Sequence, residues 1–245
     1  MQFFDIDKCG LVFSPRFKPW ARRCAYLILV LLFIVCCRNE ASVNNDSEAK
    51  PQYSVGTDPK HVFYLHGKII EQQGKEAVSP EFGRYEFDSI VSTLEKQGWK
   101  VYADVRPQDV DFEEYCQKVS HQVDSLIEKV KCQPENIAII GASKGAVMAM
   151  RVSDLNQYPI NYVLLGANSD YIEENYDWYM KGRILGIYEK SDTIADKDYQ
   201  FWIDRSKEAK EFKQLEINTG LNHGFIYTPL KEWVEPTVEW VELKN

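Results

Sequence analysis

An α/β architecture, a mostly parallel sheet with helices on both faces, is the fold class this sequence predicts, and three observations predict it. From residue 59 onward, short β-branched runs alternate with longer runs whose apolar residues recur at helical spacing. Such alternation implies parallel strands joined by right-handed crossovers. The chain has 245 residues, 44% hydrophobic and 27% charged, which is ample for one such domain and short for two. The residues able to do chemistry fall just past the carboxyl ends of the expected strands, where open sheets of this kind bind ligands.

The first segment reads as something other than the domain. Arg16, Lys18, Arg22 and Arg23 precede "CAYLILVLLFIVCC", an uncharged run of 14 residues from Cys24 to Cys37. That run is short for a spanning helix and suited to a signal-peptide core. Residues 1–37 are therefore expected to be a signal peptide or a short membrane anchor. No A-x-A cleavage pattern follows, but cysteine does, and the ending resembles a bacterial lipoprotein signal with Cys36 or Cys37 as the acylated residue. Residues 38–58, polar and without periodicity, are expected to be a flexible tether to a domain at 59–245. The location implied is exported, either membrane-associated through the N-terminal segment or a lipid anchor, or secreted.

The expected elements follow in order. "HVFYLHG" (61–67) is strand-like, and "YEFDSIVSTLEKQG" carries Tyr85, Ile90, Val91 and Leu94 as a helical stripe ended by Gly98. "WKVYADV" is the next strand. "DFEEYCQKVSHQVDSLIEKV" is a helix by its Phe112, Tyr115, Val119, Val123, Leu126 and Ile127, closed by Pro134. "NIAIIGA" is a strand, "KGAVMAMRVSDL" a helix, and "INYVLLGA", "RILGIYE" and "KQLEIN" are strands. The final "PLKEWVEPTVEW" is helical, with Pro236 expected to interrupt or bend it. Six strands are expected in the sheet.

Composition excludes several classes. A net charge of −8 with no concentrated basic face argues against a nucleic-acid partner. Cys116 and Cys132, the two cysteines of the expected domain, fall in or near one helix, so two separate packed thiols are expected rather than a disulfide. His61, His66, His121 and His223 show no metal-ligand spacing, and no metal or other cofactor is expected. "HGKIIEQQG" does not fit G-x-G-x-x-G, and "GASKGA" lacks the Lys-Ser/Thr of a phosphate-binding loop.

Gly141-Ala142-Ser143-Lys144-Gly145 fits G-x-S-x-G, with a strand before it and a helix after it. A serine on so tight a turn occupies strained backbone, and the glycines on either side relieve the crowding. The turn lifts the hydroxyl clear of the sheet. It also places the Lys144 backbone N–H at a helix start, where it can face a developing oxyanion. A serine hydroxyl needs a base and a group to orient that base. Asp192 lies just past the strand "RILGIYE", and His223 lies in a loop before the last helix. Asp196 and Asp198 compete with Asp192, which is preferred because it is nearer the strand end. The chain order Ser143, Asp192, His223 is one in which nucleophile, acid and base occur on a known sheet architecture.

From about His61 onward the chain resembles the α/β-hydrolase superfamily, on "HG" after an early strand, "GASKG" at the elbow, "EKSD" at the acid and "NHGF" at the histidine. The resemblance implies that His66-Gly67 opens an oxyanion loop and that the backbone N–H of Lys68 partners that of Lys144. It implies a structural role for His66. The HGGG form of some lipases is absent.

By that resemblance the chain is expected to be a serine hydrolase, carboxylesterase-like or thioesterase-like, acting on a small-molecule acyl substrate through Ser143, His223 and Asp192. The alternative is a non-catalytic, membrane-tethered binding protein that keeps the fold. Fewer than twenty residues separate the strand ending near Gly166 from the next, so no large lid domain is expected. Tyr171, Tyr176, Trp178 and Tyr179 are candidates for a pocket wall or for packing, and the 68–84 loop is a second candidate wall. Arg84 and Arg106 are candidates for a substrate carboxylate or for solvation.

Overall fold

The structure is a computed structural model that describes residues 59–243. The expected signal or anchor, the acylated cysteine and the tether all lie outside the described residues. In chain order the elements are β1 (His61–Leu65), α1 (Lys68–Gln73), β2 (Val78–Ser79), β3 (Gly83–Arg84), α2 (Phe87–Glu95), β4 (Lys100–Tyr102), α3 (Phe112–Glu128), β5 (Ile137–Ala142), α4 (Lys144–Leu155), β6 (Asn161–Leu165), α5 (Asp170–Asn175), β7 (Gly182–Glu189), α6 (Gln200–Arg205), β8 (Ala209–Ile217) and α7 (Lys231–Glu242). β2 and β3 pair as a small antiparallel hairpin.

Six strands form one sheet in the order β4-β1-β5-β6-β7-β8, and every neighbouring pair is parallel. The mostly apolar runs of β1, β5, β6 and β7 are what burial on both faces requires. Alternate residues divide between two cores. Phe63, Leu65, Ile137, Ile139, Leu164 and Ile184 pack with α3 and α4 on one face. Val62, Tyr64, Ala138, Ile140, Val163 and Ile187 pack with α2 and α7 on the other.

The strand order sets where a site can form. The chain leaves β1 for the β4 edge, then returns to β5 beside β1 and proceeds through β6, β7 and β8 toward the other edge. The carboxyl ends of β1 and β5 are thus the switch point, where the connecting chains depart in opposite directions and where open sheets of this kind bind ligands. His66-Gly67 follows one of those ends and Ser143 the other.

Several boundaries differ from the sequence reading for local reasons. Tyr85 precedes α2 rather than joining its stripe, and its hydroxyl meets that of Tyr64 at 2.6 Å. α1, α5 and α6 are helices of six residues each, too short for a periodic signal and held by their surroundings. β8 starts at Ala209 because an edge strand needs only one partner and carries polar residues. α7 continues through Pro236. The carbonyl that loses its donor there is that of Glu232, an exposed residue of the first turn. Cys116 and Cys132 are both buried and are not joined by a disulfide.

Candidate active site

Ser143 sits between β5 and α4 with φ 51° and ψ −122°, a left-handed strained conformation for a residue with a side chain. Its N–H donates to the Leu165 carbonyl at 2.9 Å, and its carbonyl accepts from the Ala146 and Val147 amides at 2.7 and 3.0 Å. The turn is therefore fixed on both sides. The flanking glycines are required by contact, not only by conformation. A Cβ on Gly141 would lie 2.4 Å from the Gly145 oxygen, and one on Gly145 would lie 1.9 Å from the Leu65 oxygen.

His223 stands in a 3-10 turn over Asn222–Ile226, between β8 and α7. Its Nε2 is 2.9 Å from Ser143 Oγ, and its Nδ1 is 2.7 Å from Asp192 Oδ2. Asp192 lies three residues past β7, buried, and its other oxygen accepts from the Ile194 and Ala195 amides at 2.8 and 3.0 Å. Burial acts to raise the Asp192 pKa. The hydrogen bond and charge of His223, together with those two amides, outweigh it and hold the carboxyl below its ordinary value. The three sequence-nominated residues are thus brought into one hydrogen-bonded chain. Asp198 instead accepts from the Gln200 amide at the start of α6, and Asp196 is exposed.

Two residues that sequence reading did not single out connect the acid and histidine loops. Glu189, the last residue of β7, accepts from the Thr219 amide and hydroxyl at 2.7 and 2.8 Å and from the Ser191 amide and hydroxyl at 3.2 and 2.9 Å. Asn222, at φ 53°, takes the His223 amide at 2.7 Å and the Thr193 amide at 3.0 Å on one oxygen. Both stand inside quoted motifs, Glu189 as the first letter of "EKSD" and Asn222 as the first of "NHGF". Their neighbours alone gave no sign of which partners they would reach.

On the β1 side, Gly67 passes so near Ser143 that a Cβ there would lie 3.7 Å from Ser143 Cβ. Lys68 begins α1 as Lys144 begins α4. His66 is fully buried and both ring nitrogens are engaged: Nδ1 with the Gly67 oxygen at 2.9 Å, and Nε2 as acceptor of the Arg106 amide at 2.9 Å. Burial first, and the Arg106 charge second, push its pKa down to about 3, so the ring is neutral. Arg106 is neither solvated nor open to a substrate carboxylate. It is 1% exposed, donates to the His66 carbonyl, and meets Glu71 Oε1 through Nε at 2.6 Å. Arg84 is exposed and paired with Glu76.

The aromatic candidates pack rather than line the crevice. Trp178 is buried and stacks with Tyr176 at 4.2 Å and Phe112 at 6.1 Å, while Tyr179 is half-exposed beneath Arg205. Tyr171 packs at the edge of the same core. The 68–84 loop does reach the histidine, because the β2–β3 hairpin carries Phe82, whose ring stands edge-on to His223 at 6.2 Å. Ser79 Oγ fixes that hairpin turn by accepting from the Glu81 and Phe82 amides. The segment between β6 and β7 holds only the short α5. Among the described residues no group of three or more His, Cys, Asp or Glu is placed to hold a metal ion.

No family model and no curated protein matches this chain. Solved structures do. An esterase from Pyrococcus furiosus superposes with a TM-score of 0.51 at 17% identity, over 75% of this chain and 82% of that one. The chain has the α/β-hydrolase fold. A dienelactone hydrolase from Anabaena variabilis superposes with a TM-score of 0.50 at 14% identity, over 74% of this chain and 85% of that one. Ser143 lies at the switch point of this sheet, in the turn between β5 and α4.

Proposed function

We propose that the protein is a serine hydrolase that cleaves a carboxylic ester or thioester through an acyl-enzyme. The observation that carries this reading is the unbroken chain from Ser143 Oγ through His223 to Asp192, at 2.9 and 2.7 Å, with the serine on a strained, glycine-flanked turn. A binding protein that merely kept the fold would have no need to preserve that strain or that alignment.

The mechanism follows from the parts. His223 Nε2 takes the Ser143 proton as Oγ attacks the acyl carbonyl, and Asp192 holds the ring by its Nδ1–H and stabilises the imidazolium. The carbonyl oxygen becomes an oxyanion that the backbone N–H groups of Lys144 and Lys68 receive. His223 returns the proton to the leaving alcohol or thiol, and water, deprotonated by the same ring, releases the acid. The short β6–β7 segment supports a compact enzyme with an open crevice, suited to a small-molecule acyl substrate. The basic, apolar and cysteine-ended N-terminal sequence supports a membrane-proximal, exported location for this activity.

Intact-mass measurement of the full-length chain in detergent after treatment with a fluorophosphonate tests the reading. A single adduct, absent from Ser143→Ala and strongly slowed in His223→Ala, is expected. A folded wild-type chain that takes no adduct would overturn it.

A further inference from the structure

A buried charged cluster lies beside the nucleophile turn. Glu71, on α1, has a side chain 4% exposed, and each of its oxygens meets one cation: Oε1 the Arg106 Nε and Oε2 the Lys144 Nζ, both at 2.6 Å. The Arg106 side chain is fully buried, whereas that of Lys144 is 25% exposed. A buried carboxylate is costly unless paired, and this one is paired on both oxygens.

The cluster joins the stretch that follows β1 to the first turn of α4, which directly follows the serine. Glu71 stands three residues after Lys68 on α1, so the two share one face of the helix and anchoring one fixes the other. Arg106 holds the preceding turn by donating to the His66 carbonyl and, through its amide, to His66 Nε2. Lys144 is the residue directly after the nucleophile and begins α4.

We infer that the Glu71–Lys144 ion pair is a strap that sets the spacing between the 66–68 turn and the first turn of α4, which makes the two side chains positioning residues for the oxyanion. The inference rests on the serine-hydrolase reading, because it assigns a purpose to the spacing of the Lys68 and Lys144 amides. The fold does not depend on the strap. β1 and β5 are already paired along their length, and the Gly145–Leu65 contact seats α4 against β1. Loss of the strap should therefore shift the two donors relative to each other while the sheet stays intact. Displacements on the order of 1 Å at a reacting centre cost up to about 100-fold. The cluster also carries two cations against one carboxylate, with His66 neutral, so its surplus charge favours an anion nearby.

The test measures p-nitrophenyl butyrate hydrolysis, fluorophosphonate labelling and thermal melting on the full-length chain in detergent. Lys144→Met is expected to lower kcat roughly 10- to 100-fold with KM within about threefold. Its melting temperature should stay within a few degrees of wild type. Lys144→Arg, which can still reach Glu71, is expected to recover most of kcat. Lys144→Gln serves in place of Lys144→Met if the latter melts much lower. Glu71→Gln should lower kcat in the same direction and melt earlier, because it leaves Arg106 buried without its anion. An unchanged kcat in Lys144→Met and Lys144→Gln overturns the strap while leaving an active wild type, and the hydrolase reading, in place. A change confined to KM overturns it in favour of direct substrate contact, and failure of Lys144→Arg to recover kcat also overturns it. A wild type with neither turnover nor adduct overturns the hydrolase reading and the strap's role with it.

Discussion

A Cβ on Gly145 would stand 1.9 Å from the carbonyl oxygen of Leu65, so the first turn of α4 rests directly on the end of β1. Because that obstacle is backbone, it cannot swing aside as a side chain would. Gly145→Ala is predicted to pry the two apart and cost about 1–3 kcal/mol or more, as overpacking does. In a domain of this size that lowers the melting temperature by several degrees, and fluorophosphonate labelling of Ser143 should slow sharply. Gly67→Ala is the control. Its nearest neighbours would be at 3.6 Å or beyond and its φ is −67°, so stability should change little. Equal melting of the two variants would show that α4 is not seated as described.

The same contact explains why the elbow was legible in the sequence while much around it was not. G-x-S-x-G between a β-branched run and a helical run encodes its requirement locally, since each glycine answers a collision within a few residues or with the adjacent strand. The sheet strands were legible for a similar reason: "IAIIGA" is apolar throughout and "NYVLL" apolar but for Asn161, as burial on both faces demands. Arg106 carried no such signal, because its environment is made by Glu71 and His66, 35 and 40 residues away in the chain. Nor did Phe82 or Glu189. The first depends on a hairpin of two-residue strands, the second on a loop 30 residues later, and neither leaves a periodicity. The aromatic run from Tyr176 to Tyr179 offered a pocket or, more often for such clusters, a core, and Phe112 on α3 and Trp202 on α6 settle it as packing.

Acid should weaken the fold partly through Glu189. Burial acts to raise its pKa, but the Thr219 amide and hydroxyl and the Ser191 hydroxyl and amide outweigh it and hold the group below its ordinary 4.5. A group with a depressed native pKa contributes stability that is fully present above the unfolded pKa and is lost as pH falls through the native one. Glu189→Gln should therefore be destabilised at pH 6 by about 1–3 kcal/mol, the cost of a mismatched buried acceptor. That deficit relative to wild type should shrink as pH falls from 6 to 3. Urea midpoints of the two proteins across that range measure it. A deficit constant with pH would mean that Glu189 titrates alike in the folded and unfolded chains. Asp192, also held below its ordinary 3.8, loses its own contribution in the same direction as pH falls.

Phe82 is predicted to wall the acyl side of the proposed reaction, because it is the aromatic side chain of the β2–β3 hairpin that packs on His223. Its ring stands edge-on to His223 at 6.2 Å and to Tyr227 at 5.6 Å, and a Cβ on Gly224 would lie 3.3 Å from Phe82 Cβ, so the hairpin rests directly on the histidine turn. The hydrogen bonds linking Ser143, His223 and Asp192 do not pass through Phe82. Phe82→Ala should leave them in place and remove apolar surface from the crevice, at about 1–2 kcal/mol for a partly buried ring. Expressed in rate, that is roughly a 5- to 30-fold loss of kcat/KM on p-nitrophenyl butyrate, falling mainly on KM. With p-nitrophenyl acetate, whose acyl group offers little to contact, the loss should be smaller. A matched loss on both esters would assign Phe82 to holding His223 in place, and an undiminished kcat/KM on both would remove it from the crevice wall.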